Sequence, residues 1–164
     1  MKTINRYLQE SNKSFEKKNS VKGLVKLDKL ILILRRAEGD KGHGQWDLPG
    51  GCIEKDENKE DALKREVFEE SNLKITDIKF VTTTNLKIPE QGVDSDMHVY
   101  TCKTNDSDVI LKPRNWDKSG LAEHNEYRWV QFKDDVENLP MLQQLKKILL
   151  KYLKTGTHEY LNTI

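Results

Sequence analysis

Five consecutive aliphatic residues, Leu30-Ile31-Leu32-Ile33-Leu34, constrain this chain more than any other stretch. Side chains alternate between the two faces of a strand, so an unbroken apolar run must be covered on both. The chain therefore needs a sheet with a layer on either side. Residues 21–26, VKGLVK, read as a strand joined to 30–35, LILILR, by a turn at Leu27-Asp28-Lys29. Residues 74–84 and 96–103 read as further strands, the second with clear alternation, and YRWVQ at 127–131 as another. Residues 58–71 have the pattern of a helix. So does 141–153, with Leu142, Leu145, Leu149 and Leu153 near one face. AEGDKGHGQWDLPGGC, with its glycines and proline, reads as an irregular loop. Strands, helix, strands, helix is the order of a mixed α/β or α+β layered domain.

The 164 residues suffice for one domain with a real core. The expected organisation is a polar, weakly ordered extension over 1–20, the domain over 21–155 and a tail over 156–164. Lys+Arg 28 against Asp+Glu 27 gives a net charge of +1, without the basic excess of a general nucleic-acid or membrane-surface binder. Neither kind of partner is therefore expected. The LILIL run is far too short to span a bilayer. MKTINRYLQESNKS lacks the apolar core of a signal peptide, and Cys52 and Cys102 form neither a metal-type pair nor a disulfide framework. The expected compartment is the reducing cytoplasm.

The helix at 58–71 carries carboxylates where its apolar residues should be. At about 100° per residue, with Leu63 at zero, Val67 lies near +40°, Ala62 near −100° and Leu73 near −80°. Glu66 falls at about −60° and Glu70 at about −20°, inside that apolar arc, with Glu69 on its border near −120°. Lys64 and Phe68 point elsewhere. Carboxylates so placed are costly without a cation or strong donors, and three at i, i+3 and i+4 repel one another. Either the face is solvated after all, or the glutamates hold a hard divalent cation such as Mg²⁺, which prefers carboxylate oxygens.

The wider segment, GCIEKDENKEDALKREVFEESNL, resembles the Nudix box. That pattern is Gly, five residues, Glu, seven residues, Arg-Glu-apolar, one residue, Glu-Glu, one residue, Gly, apolar. Gly51, Glu57, Arg65-Glu66-Val67, Glu69-Glu70 and Leu73 all match; Asn72 replaces the final Gly. The match would arise by chance roughly once in a million chains. Trp46-Asp47-Leu48-Pro49-Gly50-Gly51 is similar to the family's usual lead-in. Asn72 would stand just past the helix, where a left-handed residue ends it, and Asn is the next best choice after Gly there.

The resemblance implies an α/β/α sandwich with a mixed sheet and hydrolysis of a nucleoside diphosphate linked to another group. It implies that Glu66, Glu69 and Glu70 bind Mg²⁺ or Mn²⁺, joined by the Gly51 carbonyl, and that Arg65 pairs with Glu57 to lock loop to helix. Glu66 or a loop residue would accept the proton of the attacking water. Gly50 and Gly51 would let backbone approach metal and phosphate closely. Glu123 or Glu126 could add a further acidic ligand, or be plain surface charge. Arg35 and Arg36 end a buried strand and could meet phosphates or merely snorkel. Trp46 or Trp116 could stack on a base or serve packing. His43, His98 and His124 show no metal-ligand spacing and read as structural, and Cys52 as an inert thiol.

The size is most like the MutT-type nucleoside triphosphate pyrophosphohydrolases, some of which clear oxidised nucleotides, so the partner expected is a small nucleotide. Pro89, sixteen positions past Leu73, keeps an ADP-ribose or nucleotide-sugar pyrophosphatase in view, although it also suits a simple turn. Capped dinucleotides and capped RNA ends stay open. A non-catalytic nucleotide sensor is the alternative of another class; retention of all four box glutamates weighs against it. A homodimer is left open.

Overall fold

The computed structural model describes residues 17–39, 42–88, 93–112 and 122–155. In chain order the elements are β1 (Lys18–Leu27), β2 (Leu30–Arg36), β3 (Trp46–Asp47), α1 (Lys59–Ser71), β4 (Thr76–Ile88), β5 (Val93–Lys103), β6 (His124–Val130), α2 (Asp134–Glu137) and α3 (Gln143–Leu150). β1 runs parallel to β5 and antiparallel to β2. β4 pairs antiparallel with β5, and β3 and β6 both pair antiparallel with β2. The sheet is therefore mixed, in the order β3-β2-β1-β5-β4 with β6 also on β2.

The LILIL run explains the layering. Leu32 and Leu34 pack with Val21, Val25, Leu63 and Val67 on the α1 side. Ile31 and Ile33 pack with Leu24, Leu48, Leu145 and Leu149 on the α3 side. Both faces of β2 are thus covered, giving the α/β/α sandwich expected.

Only Lys26 and Leu27 of β1 pair with β2, at Ile31 and Leu30. Beyond them the two strands part, and the segment 46–53 fills the gap. β3 borders β2 through Trp46 and Asp47. The next residues are stitched to β1: Val21 N–H donates to Gly51 O at 2.9 Å, Gly23 N–H to Pro49 O at 2.8 Å, and Ile53 N–H to Asn19 O at 3.0 Å. A loop by composition thereby becomes a fixed strip inside the sheet.

Several boundaries differ from expectation, β6 among them, which begins at His124 rather than Tyr127. β1 begins at Lys18, so 18–20 are part of the sheet rather than an extension. Their backbones pair with Ser95, Asp96 and Met97, and the Ser20 and Ser95 hydroxyls meet at 3.1 Å, which polar side chains permit. The β4–β5 ribbon is longer than expected on both strands. The last helix is shorter, because Met141 instead bridges to Trp46. Residues 1–16 and the expected tail at 156–164 lie outside the described residues. Among the described residues no helix is long and apolar enough to cross a membrane.

α1 has caps at both ends. Asn58 accepts from Asp61 N–H at 2.9 Å, and Asn72 is left-handed at φ 63°, its N–H reaching Phe68 O at 2.9 Å. Asn72→Ala is expected to cost about 1 kcal/mol, and Asn72→Gly to leave stability unchanged or slightly raised. Urea unfolding of the two variants measures both.

Candidate metal and active site

The strip at 46–53 brings the Gly50-Gly51 backbone against α1. Gly50 has φ +133°, and a Cβ there would lie 2.1 Å from Val21 O. A Cβ on Gly51 would lie 2.6 Å from Glu66 Oε2. Gly50 needs glycine for conformation and for its contact with fixed backbone, whereas a side chain at Gly51 would displace the Glu66 carboxylate. The Gly50 N–H donates to Glu70 Oε2 at 2.8 Å.

The glutamates fall as the helical arc requires. Glu70 is buried, Glu66 partly buried and Glu69 exposed. Burial pushes the Glu70 carboxyl well above the usual range against the opposing pull of Lys22, and Glu123 pushes it further. Burial likewise raises Glu66, opposed by Arg65. Arg65 holds Glu57 in a fork, Nε to Oε1 at 2.8 Å and an Nη to Oε2 at 2.9 Å. It also reaches Glu66 Oε1 at 2.8 Å, Glu69 at 3.3 Å and the Cys52 carbonyl at 3.0 Å. These bonds hold Glu57 below the usual carboxylate range, the Arg65 hydrogen bond foremost. One guanidinium thus ties the loop to the helix.

The residue just before β6, Glu123, is the remaining acidic group. Glu70, Glu123 and His124 each offer a ligand atom, all within 4.8 Å of one another. His124 Nδ1 lies 3.9 Å from Glu70 Oε1. His124 read as structural; the fold instead puts it at the site, and its place beside Glu123 was the signal available. Glu126 pairs with Arg128 at 2.9 Å and Arg35 at 3.6 Å. It is not among the residues gathered around Glu70. The hard oxygen donors, crowded together, fit a divalent cation such as Mg²⁺ or Mn²⁺. The Gly51 carbonyl accepts from Val21 N–H, so a second lone pair would have to serve a metal.

Several expected substrate contacts have other roles. Trp46 is buried in the α3-side core with the Arg128 guanidinium 4.5 Å over its ring, so it is no exposed stacking platform. Arg36 bonds Asp47 at 2.8 Å and reaches Glu123 at 3.6 Å, which makes it an internal tie. Arg35 is more exposed, with the 3.6 Å pair to Glu126. His98 is buried between Thr83 at 2.9 Å and Asn19 at 3.3 Å, while His43 is exposed. Cys52 is exposed; Cys102 is buried, which pushes its thiol up to about 12. Pro89 and Trp116 lie outside the described residues.

Two further residues were missed. Lys22 and Asp47 are both buried and pair at 2.8 Å. Burial pulls the Asp47 carboxyl up, but Lys22 and Arg36 together bring it below the usual range. A lysine inside the VKGLV strand, on the same face as Leu24, was the signal.

An acidic helix, a glycine strip and the glutamate just before β6 converge beside a split mixed sheet, a class of site suited to a metal ion. Residues 17–152 match the model of the NUDIX domain, and the chain belongs to that family. It is 42% identical over 57 residues to a "MutT-like protein" of Streptomyces ambofaciens, covering 34% of each chain. An "RNA pyrophosphohydrolase" of Pseudoalteromonas atlantica is 27% identical, over 60% of this chain and 62% of that one. A "NAD-capped RNA hydrolase NudC" of Escherichia coli is 31% identical, over 71% of this chain but 39% of that one. The chain thus spans less than two thirds of the length of these curated relatives. In structure it is similar to the MutT protein of Methanosarcina mazei, with TM-score 0.68 and 22% identity over 92% and 99% of the two chains. The Nudix domain of Shewanella oneidensis NrtR, solved with ADP ribose, gives TM-score 0.64 and 19% identity over 93% and 96%.

The raised Glu70 pKa has a consequence for stability. A carboxyl whose folded pKa exceeds its unfolded value stabilises the fold fully below the unfolded pKa, near 4.5 here. That contribution is lost as pH rises through the folded pKa. Glu70→Gln, which never ionises, is therefore expected to melt above wild type at pH 7 without metal. The gain should shrink as pH falls toward the ordinary carboxylate range. Thermal melts in EDTA from pH 4.5 to 7.5 check the sign.

Proposed function

We propose that the protein hydrolyses a phosphoric anhydride bond in a nucleoside diphosphate linked to another group, with Mg²⁺ or Mn²⁺ as cofactor. The observation that carries this is the convergence of buried Glu70 with Glu66, Glu123 and the Gly50-Gly51 backbone. Glu66, Glu69, Glu70 and Glu123 would hold the cation, with the Gly51 carbonyl and His124 beside them. When bound there, it supplies charge neutralisation of the phosphates and a lowered pKa for an attacking water.

The chain's own groups do the rest. The Arg65–Glu57 fork fixes the strip to α1 and orients Glu66 through Oε1. Glu66 Oε2 faces Gly51, and Glu66 or a loop residue would accept the proton of the attacking water. Arg35, at the exposed end of β2, is the cation suited to a substrate phosphate.

Within the class, we favour a (deoxy)nucleoside triphosphate or oxidised nucleotide, cleaved to the monophosphate and pyrophosphate. The MutT-like relative and the MutT structural neighbour support it. The second reading is a larger anhydride, an RNA 5′ end or a dinucleotide cap, favoured by the relatives named for those activities. An ADP-ribose or nucleotide-sugar substrate, or a sensor that binds without turnover, would be revealed by the same experiment.

That experiment is a screen with Mg²⁺, its products converted to phosphate by added pyrophosphatase and phosphatase and nucleotide binding measured alongside, over triphosphates, oxidised purine triphosphates, ADP-ribose, nucleotide sugars, dinucleoside polyphosphates and 5′-triphosphate or NAD-capped RNA. Glu70→Gln is expected to lose at least about 100-fold in kcat while remaining folded. Turnover of capped RNA alone would replace the triphosphate reading, and nucleotide binding without any turnover would replace hydrolysis by sensing. Arg65→Ala is expected to lower kcat about 10–100-fold through loss of orientation, with less change in KM. Wild-type kinetics in that variant would show that the fork does not orient the site.

A further inference from the structure

All four carbonyls of Leu48-Pro49-Gly50-Gly51 are held from three consecutive residues of β1. The Val21 and Gly23 N–H groups take Gly51 O and Pro49 O. The intervening Lys22 side chain takes the other two, Nζ to Gly50 O at 2.8 Å and to Leu48 O at 3.1 Å. Its third bond goes to Asp47 Oδ2 at 2.8 Å. An ammonium has three donors and no acceptor, so this set saturates it.

Packing alone does not explain a lysine here. The side chain is buried, and a buried ammonium without acceptors is strongly disfavoured. A methionine of similar length would fill the same space beside Leu24 and Leu48, but it would leave two strip carbonyls and Asp47 with one donor fewer each. The backbone that Lys22 grips is also the backbone that meets the glutamates. Gly50 N–H bonds Glu70, and Gly51 abuts Glu66. Asp47, the third acceptor, accepts in turn from Leu48 N–H and from Arg36, and Arg36 reaches Glu123. One ammonium on β1 is thereby connected, through the strip and through Asp47 and Arg36, to the acidic centre.

We propose that Lys22 is a positioning residue of the site: its ammonium fixes the carbonyls of Leu48 and Gly50 and the Asp47–Arg36–Glu123 chain, and so sets where the carboxylates present their oxygens to a divalent cation. The proposal rests on the metal-site reading above, and the test separates the two.

The probe is Mn²⁺ alone, titrated into the full chain and read by the EPR signal of unbound ion. Lys22→Met keeps side-chain length and removes all three donors. It is expected to weaken Mn²⁺ binding about tenfold or more, as loss of a ligand-orienting partner does. In turnover it should lower kcat with little change in KM. Lys22→Gln is polar yet too short for all three acceptors, and it carries the same expectation should the methionine variant fail to fold. A folded variant with a lowered melting temperature but wild-type Mn²⁺ affinity and kcat would overturn the proposal, leaving Lys22 a purely structural group. Wild-type protein that binds no Mn²⁺ would instead overturn the metal-site reading itself.

Discussion

The parting of β1 from β2 is the constraint on which the rest depends. After two paired residues the strands diverge, and a gap in a sheet leaves backbone donors that must find acceptors. The strip from Trp46 to Ile53 supplies them. Because its backbone is used as sheet, its conformation is fixed by hydrogen bonds on one side and by α1 on the other. A glycine pair that would wander in a solvent loop becomes a rigid edge against which glutamates can be placed.

Placing them costs stability. The raised pKa values of Glu66 and Glu70 record carboxylates withdrawn from water. The structure opposes that with cations at two depths. Arg65 lies near the surface, where an exposed ion pair is worth about 1 kcal/mol or less. Its importance is directional, since a forked guanidinium fixes angle as well as distance. Lys22 lies inside, where removing one partner of a buried pair costs about 3–5 kcal/mol. The outer cation orients the helix side of the site and the inner one holds the loop side.

Much of this was legible in order of residues. LILIL demanded two covering layers, and α1 and α3 supply them. The helical arc placed Glu66 and Glu70 inside the apolar side and Glu69 on its border, because angular position along a helix follows from local geometry alone. Asn72 read as a left-handed helix end for the same reason. By sequence Trp46 could either stack on a base or serve packing, because whether an aromatic faces a cleft or a core depends on what packs over it; here α3 and Arg128 do. Arg36 ends a strand, but only the fold shows that Asp47 and Glu123 engage it.

The sequence by itself determined the box, its spacing and the periodicities of its helix and strands, since all of these act between residues near in the chain. The tertiary structure alone decided that β6 brings Glu123 and His124 to Glu70, and that Lys22 lies beneath the strip. These groups meet across long separations in the chain. Their meeting is fixed by strand pairing and by the need of a buried ammonium for three acceptors, neither of which has a signature in local spacing.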